Sequence, residues 1–170
     1  TAPGIWTTGE PLGGEPTGEV RRLDDWHCHT EAGAATSVSA EEDADSKSIL
    51  AIRCVQPGAR SNHIQFSHSP VPITEGNVYR VRFRATCTVP VSIQTPTLMK
   101  SGPPWTHYSP AVPPKEVRVD GEWKEFERFY VADTTSESAR LTFFLGDVLP
   151  EGAVLRLAEV TFAEVESNLG

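Results

Sequence analysis

Apolar and polar residues alternate along several short segments of this chain, and the alternation is longest through residues 79–87. The odd-numbered positions of this segment are apolar or aromatic, whereas the even-numbered positions carry three arginines: Arg80, Arg82 and Arg84. Successive side chains of a β-strand point to opposite faces of its sheet. The segment therefore predicts a strand with one buried face and one arginine-bearing outer face. Three arginines in register are more than solubility requires, so this outer face is a candidate functional surface.

The same two-residue period recurs between turn-forming residues such as Pro57-Gly58, Gly76-Asn77 and Asp120-Gly121. It predicts strands at residues 48–55, 63–67, 78–87, 91–94, 115–119, 123–131, 140–145 and 153–165. Helical periodicity is scarce, and 14 prolines and 13 glycines are spread along the chain. Many short strands between Gly- and Pro-rich turns predict an all-β fold, either a sandwich or a barrel of antiparallel strands.

The bulk composition fits one ordinary domain of 170 residues and 18.6 kDa, with 38% hydrophobic and 22% charged residues. This balance excludes a disordered tail, and no apolar run is long enough to span a bilayer, so we expect no membrane partner. The formal net charge of −8 argues against nucleic acid, whose phosphates bind basic surfaces. Residues 1–19, rich in Gly and Pro, predict an extended arm or linker, and residues 20–166 predict a single β-sandwich domain.

The chain has three cysteines, Cys28, Cys54 and Cys87, and each shares the parity of apolar neighbours. We interpret them as small buried hydrophobic residues. The alternative is a disulfide between Cys28 and Cys54, which an oxidising compartment would allow and which would leave one thiol over. Cysteine usage alone does not decide the compartment.

His27, Cys28 and His29, followed by Glu31, contain the residue types that bind metal ions. Two histidines at positions i and i+2 of a strand point the same way. However, Glu31 is too close in sequence for the usual β-barrel metal sites, and the other histidines have no recognisable spacing. If Trp26 and Cys28 point inward, the two histidines lie on a solvent-facing strand surface, which is the interpretation we prefer.

No catalytic constellation stands out in the sequence. It contains no Gly-x-Ser-x-Gly turn and no cysteine with an evident His and Asn or Asp partner. The sequence does not single out a pair of carboxylates suited to glycoside hydrolysis either, because most acidic residues fall in turns or at strand ends. We therefore predict no catalytic residues.

Aromatic rings fall on two predicted surfaces. The loop of residues 100–110 contains three prolines and carries Trp105 and Tyr108. A rigid loop loses little entropy when its rings stack on a ligand such as a sugar; alternatively, these rings are buried and anchor the loop. On a later strand, Phe144 has the outer parity beside Thr142, where an apolar ring suits a binding platform or a subunit contact.

Residues 76–85 resemble the strand motif G-x-x-Y-x-x-x-F-x-A of the carbohydrate-binding modules grouped as families 4, 9, 16 and 22. The resemblance continues in order through Pro104-Trp105-Thr106 and then through residues 122–126, 139–146 and 155–162. Trp26 fits the tryptophan that follows the family's first strand. Together these segments cover about residues 20–165, nearly the whole predicted domain.

The resemblance implies a jelly-roll β-sandwich of two antiparallel sheets, in which a glycan lies in a concave groove between aromatic rings and polar side chains. Transferred to this sequence, it implies six outward residues on the groove strands: Gln65, Arg82, Arg84, Gln94, Thr142 and Phe144. Trp105 and Tyr108 would lie on a loop at the rim of the groove. Trp26 and Trp123 match structural positions of the family and are expected in the core.

Two departures from the family pattern concern ligands. The opening motif that helps to bind a structural calcium in the family is replaced by residues 18–23, although Glu159 still offers an oxygen ligand late in the chain. The expectation is therefore no required cofactor, with a structural calcium at Glu159 as the open alternative. The arginine-bearing strand suits an anionic glycan, because guanidinium pairs bidentately with carboxylate or sulfate. Alternatively, its arginines pair with Asp and Glu of neighbouring strands.

The first functional hypothesis is a non-catalytic, monomeric module that binds a polysaccharide or oligosaccharide. It would raise the local concentration of an attached glycoside hydrolase or polysaccharide lyase on its substrate. Such a protein would be secreted, either extracellular or periplasmic. The second hypothesis is a structural or interaction β-sandwich that has lost sugar binding and supports a neighbouring catalytic domain. The third hypothesis is a small jelly-roll enzyme such as a lyase or hydrolase, and it is the least favoured because no acid–base or metal cluster emerges from the sequence. The fold alone does not decide among the three.

Overall fold

The computed structural model describes residues 5–7, 12–109 and 116–168, and their secondary structure is almost entirely β. The strands are β1 (Ile5–Thr7), β2 (Gly13–Pro16), β3 (Arg21–Arg22), β4 (His27–Thr30), β5 (Ala35–Glu42), β6 (Ser48–Gln56), β7 (Ile64–Ile73), β8 (Val78–Cys87), β9 (Val91–Gln94), β10 (Thr97–Met99), β11 (Glu116–Val119), β12 (Lys124–Val131), β13 (Ser136–Phe144) and β14 (Val154–Ser167). A 3-10 turn at Ser61–His63 precedes β7. Among the described residues, no helix has the length and apolar character needed to cross a membrane.

The strands form two main sheets. The larger sheet has the order β1-β12-β8-β14-β6-β5, and β2 and β3 also pair with β14. The smaller sheet has the order β10-β13-β7-β4, while β9 and β11 form a separate two-stranded sheet. Pairing is antiparallel throughout the smaller sheet. The central strands of the larger sheet also pair antiparallel, whereas the short edge strand β1 runs parallel to its neighbour β12. The fold is a β-sandwich of jelly-roll type, as predicted.

The core between the sheets is built from the inward-facing residues of the central strands. The Phe83 ring of β8 lies 5.4 Å from the ring of Phe126 on the neighbouring strand, centroid to centroid. It also meets the edge of Phe143, which belongs to the other sheet, at 5.3 Å. All three rings are fully buried, and burial of such apolar surface is the main force that holds two sheets together. The predicted inward parity of β8 is therefore confirmed.

The outward parity of β8 is less open than the sequence predicted. Arg80 is buried, with 8% of its surface exposed. Arg82 is half-buried, and its Nε donates to Oε1 of Glu127 on β12 at 2.8 Å. The guanidinium carbon of Arg84 lies 5.1 Å from the ring centroid of Trp123. On the outer face of the larger sheet, neighbouring side chains therefore pair with or stack against the guanidinium groups of these arginines.

The described part of the N-terminal segment is attached to the larger sheet. β2 pairs with residues 165–167 of β14, and Leu12 packs with Phe129 and Val165 in a small apolar cluster outside the main core. The backbone N–H of Asn168 donates to the carbonyl oxygen of Leu12 at 2.8 Å. Residues 13–16 are thus extended and docked on the larger sheet; residues 1–4 and 8–11 of the predicted arm lie outside the described residues.

All three cysteines are free thiols. Cys54 and Cys87 are buried, and Cys28 is half-buried with its Sγ 3.2 Å from Oγ1 of Thr36. The Cys54 thiol donates to the carbonyl oxygen of Leu149 at 3.3 Å instead of bonding to Cys28, so the alternative of a disulfide between them is wrong. Burial raises the pKa of each thiol, which makes all three poor nucleophiles at neutral pH.

Candidate functional site

A cleft crosses the outer face of the smaller sheet. Outward-pointing side chains of β7 and β13 form its floor, β4 forms one wall, and β10 with the loop at residues 100–109 forms the other. Its main compartment has a volume of about 550 Å³, within the range of small-molecule sites. It is lined by His27, His29, Glu31, Asn62, Gln65, Met99, Trp105, His107, Arg140 and Phe144.

Strand register explains why these residues meet. His29 lies opposite Gln65, and Gln65 lies opposite Phe144, so β4, β7 and β13 contribute one row of side chains across the sheet. Met99 of β10 lies opposite Arg140 in the neighbouring row. Because alternate residues of a strand share a face, each strand brings its outward side chains to the cleft while its other parity fills the core.

Arg140 lies in the middle of this surface. Its Nη2 donates to Oε1 of Gln65 at 2.9 Å, and its guanidinium carbon lies 4.9 Å from the ring centroid of Trp105. Nε2 of Gln65 in turn donates to the backbone carbonyl of Asn62 at 3.0 Å. Burial lowers the pKa of the Arg140 guanidinium, because desolvation disfavours the charged form. These contacts order the side chains before a ligand arrives, so little rotamer freedom remains to be lost on binding.

Trp105 projects from the loop that forms one wall, with 47% of its surface exposed. Its backbone has a φ of 62°, in the left-handed region that bulky residues rarely adopt. The loop is closed by hydrogen bonds from the N–H of Lys100 to the carbonyl of Thr106 at 2.8 Å and from the N–H of Trp105 to the carbonyl of Gly102 at 2.9 Å. Unusual backbone geometry of this kind clusters at functional sites. An exposed indole held in this way is the feature most suited to stacking on a sugar.

A second compartment of about 340 Å³ adjoins the first, and it is lined by Asp25, Trp26, His27, Ser67, Ser69, Ser101 and Arg140. Arg140 and His27 line both compartments. The two therefore form one groove that passes either side of Arg140, and this shape suits an extended chain better than a single compact molecule.

Three of the predicted site residues come together in the cleft: Gln65, Trp105 and Phe144. Thr142 has the predicted parity, but it is completely buried beneath the surface, and its Oγ1 has no hydrogen-bond partner. Tyr108 is half-buried and packs against the main core, so it anchors the loop, as the sequence-based alternative proposed. Gln94 lies on β9, in the separate two-stranded sheet.

Arg82 and Arg84 do not belong to the cleft, and their predicted place in its floor is wrong. They lie on β8 in the larger sheet, whereas the cleft lies on the smaller one. Alternation along β8 indicates which residues face outward, but it does not indicate which of the two sheets carries the strand. Trp123, expected in the core, is also 37% exposed on the larger sheet. Trp26, in contrast, stacks on Phe66 with 5.2 Å between ring centroids, as a core residue should.

Sequence reasoning missed much of the polar lining. Arg140 carries the same parity as Phe144 on β13 and was within reach of that signal. His27 and His29 face outward, as predicted, but they face the cleft. Asn62 and His107 come from irregular segments, in which no periodicity marks the direction of a side chain.

The residues around Glu159 do not fit a calcium ion. Glu159 lies in a β-bulge of β14 with a φ of 52°, and its Oε1 accepts from Nζ of Lys47 at 2.9 Å. An ammonium group thus already neutralises this carboxylate, whereas calcium requires six or more oxygen ligands. In the described ranges, no three residues among His, Cys, Asp and Glu are arranged to hold a metal ion.

The sequence profile of the carbohydrate binding domain family CBM_4_9 matches residues 15–152. The chain therefore belongs to this family, whose domains are generally non-catalytic. No curated protein sequence is similar enough to this chain to count as a match.

Solved structures show the same fold. A structure described as "CBM4 structure and function" is 22% identical with a TM-score of 0.66, covering 82% of this chain and 86% of its own. The N-terminal cellulose-binding domain of Cellulomonas fimi β-1,4-glucanase C is 20% identical with a TM-score of 0.59, covering 90% and 99%. The CBM22-1 xylan-binding domain of Paenibacillus barcinonensis Xyn10C is 11% identical with a TM-score of 0.54, covering 93% and 99%.

Proposed function

We propose that this protein is a non-catalytic module that binds a polysaccharide chain in the cleft of the smaller sheet. The observation that carries the proposal is the exposed, ordered Trp105 ring beside a polar floor of Gln65 and Arg140. A sugar offers an apolar ring face and a rim of hydroxyl groups, and this surface provides an indole for the first and hydrogen-bonding groups for the second. Family membership supports the same ligand class.

The proposal includes an attached glycan-degrading enzyme and a location outside the cell, extracellular or periplasmic. A module without chemistry of its own acts by raising the local concentration of a catalytic partner on the polymer. Solved structures of the same fold that are named as parts of a glucanase and a xylanase support this arrangement, and cellulose and xylan lie outside cells. The ligand-binding unit is a monomer, because each chain carries a whole cleft.

Affinity electrophoresis through gels that contain neutral or acidic polysaccharides tests the proposal. We expect retardation of the wild type by at least one polymer, and loss of about tenfold in affinity for Trp105→Ala, because aromatic anchors dominate such interfaces. Phe144→Ala should weaken binding as well. Trp123→Ala is the matched control, since it removes an exposed tryptophan from the other sheet.

The outcome separates binding from a purely structural role. Retardation that survives Trp105→Ala but not Trp123→Ala would place the ligand on the larger sheet and contradict the proposed cleft. If no neutral or acidic polysaccharide retards the wild type, the alternative of an accessory β-sandwich without sugar binding replaces the proposal.

A further inference from the structure

Arg140 is a cation without a counter-charge. Its polar and aromatic contacts, the amide oxygen of Gln65 at 2.9 Å and the ring of Trp105 at 4.9 Å, are both electrically neutral. Within the described part of the chain, no carboxylate lies within ion-pair distance of its guanidinium. Asp25 and Glu31 line the two compartments of the cleft but do not pair with it.

Several other arginines of this molecule form ion pairs with carboxylates. Arg82 pairs with Glu127 and Arg156 with Glu41, each at 2.8 Å. Arg140 has no such carboxylate partner, and its Nε, like that of the buried Arg128, is sealed from solvent without a hydrogen-bond partner. Burial removes part of the hydration of this charge, which is reflected in the lowered pKa of the group. Removing a charge from water is costly unless an opposite charge compensates for it.

The surroundings of Arg140 also differ from the rest of the protein in charge. The chain has a formal net charge of −8, so most of its surface repels anions. The main compartment, however, is lined by one arginine and one carboxylate, those of Arg140 and Glu31, and thus has no excess of acidic side chains. Glu31 accepts a hydrogen bond from Nδ2 of Asn62 at 3.3 Å and lies 3.7 Å from the imidazole of His29. A cleft with low-dielectric walls concentrates the electrostatic potential of the Arg140 guanidinium.

We infer that the cleft binds an acidic glycan, in which the carboxylate of a uronic acid residue pairs with Arg140 and supplies the missing counter-charge. This inference rests on the proposed function and narrows its ligand class. A planar carboxylate matches the parallel N–H bonds of a guanidinium, which a neutral sugar does not. Trp105 stacks beside the same guanidinium, so a sugar ring and its acidic group can be recognised side by side.

Isothermal titration of the full chain tests this inference with paired ligands. Oligosaccharides of polygalacturonate, alginate and glucuronoxylan are each compared with their carboxyl-reduced forms, which keep the linkage and lose the charge. We expect at least one acidic oligosaccharide to bind about tenfold or more tightly than its reduced form, because a charge-assisted pair is lost. Raising the salt to about 0.5 M should shrink that ratio.

Two arginine variants assign the effect to its residue. Arg140→Gln should abolish the preference, so that the acidic and reduced forms bind with affinities within about twofold of each other, whereas Arg140→Lys should keep a reduced preference, because ammonium binds as a point charge. Arg84→Gln is the matched control, since Arg84 also stacks over an exposed tryptophan but on the other sheet. It should leave the preference unchanged.

The outcomes distinguish this inference from the proposed function. Equal binding of acidic and reduced forms overturns the inference while the module proposal stands, and so does a preference for a sulfated galactan over every uronan. No binding of either form, together with none to cellulose or xylan, overturns both. If Arg140→Gln unfolds, the ratio measured with Arg140→Lys decides, and an unchanged ratio there contradicts the role of Arg140.

Discussion

At the scale of single residues, Trp105 combines an exposed ring with an unfavourable backbone. The left-handed conformation brings Cβ close to the following carbonyl oxygen, and this costs about 1–2 kcal/mol for a residue other than glycine. The hydrogen bonds from Lys100 to Thr106 and from Trp105 to Gly102 hold the loop in this shape. The free-energy cost arises at the backbone and Cβ, so it is the same with or without the indole ring. The loop hydrogen bonds hold the backbone in this conformation and thereby fix the direction of the ring.

This separation of backbone and ring can be measured. Trp105→Gly should be more stable than Trp105→Ala by about 1 kcal/mol, because glycine adopts a φ of 62° without a Cβ penalty. Both variants lose the indole and should bind glycan equally poorly. The free energies of unfolding from urea titrations provide the comparison, and an alanine variant as stable as the glycine variant would contradict the assigned strain.

The residue scale also shows what parity can predict. Gln65 and Phe144 were assigned to the cleft because they face away from the core, and Arg140 shares that property. Arg82 and Arg84 share it too, yet they lie on the larger sheet. Parity is a local property of one strand, whereas membership of a sheet depends on pairing between residues far apart in sequence.

At the scale of strands, the predictions succeeded where both faces differ in polarity. β8 was predicted with its observed bounds, because its inner face is apolar and its outer face is charged. β5 was missed, since it is an edge strand with mostly exposed, small or polar residues and has no apolar face to read. β7 was predicted to end at Ser67 but continues to Ile73, because pairing with β13 carries it through Ser69 and Pro70.

One buried carboxylate, that of Glu127 on β12, pairs with arginines of β8. Glu127 has 7% of its surface exposed, and its closest cation is Arg82. Arg82→Ala should therefore lower the free energy of unfolding by about 1–3 kcal/mol, because a hydrogen bond to a charged, buried group is lost. Glycan affinity should not change. Denaturant titration and the affinity gels provide the two measurements.

Arg84→Ala is the comparison for that variant. Arg84 contacts the partly exposed Trp123, and such a contact contributes about 0.5–1 kcal/mol. The expected loss is therefore smaller than for Arg82→Ala. A larger loss for Arg84→Ala, or weaker glycan binding by Arg82→Ala, would be inconsistent with the placement of these residues.

An ion pair between Glu41 and Arg156 connects β5 to β14 across the intervening β6. The hydrogen bond from Arg156 lowers the pKa of Glu41. A carboxyl whose pKa is depressed by folding stabilises the native state above its unfolded pKa, about 4.3, and this contribution is lost as the pH falls through the lower, folded value. The melting temperature of Glu41→Gln should thus be below that of the wild type at pH 7, and the gap should close on acidification below about pH 4.

Salt provides the control for this pair. Because both side chains are partly exposed, about 1 M NaCl should narrow the gap at neutral pH without an acid step. A gap that stays constant from neutral to acidic pH would show that the variant acts through packing instead of charge.

At the scale of the whole molecule, the ammonium of Lys47 stands beside the carboxylate where the family resemblance suggested a calcium ligand. We therefore expect the melting temperature to be the same with excess EDTA and with millimolar calcium, since no cation that stabilises the fold would be removed. Differential scanning calorimetry measures it. A fall of several degrees in EDTA that calcium reverses would contradict the assignment and restore the calcium prediction at Glu159.

The net charge of the whole chain gave only part of the information needed to predict its ligand. A net charge of −8 excluded a polyanionic nucleic acid as the expected partner, but it says nothing about a single groove. Arg140 and the three histidines that line the main compartment come from separate segments that the fold brings together. A sum over the sequence averages such local differences away, which is why the ligand class had to be inferred from the assembled sheet.

The hydrogen bond between Asn168 and Leu12 has a consequence for protein engineering. A chain that enters at Leu12 and leaves at Asn168 passes twice through nearly the same point, on the larger sheet. The segment of residues 12–168 can therefore be inserted into a surface loop of a host protein without separating the two ends of that loop. Oriented in this way, it would carry its groove on the side turned away from the host.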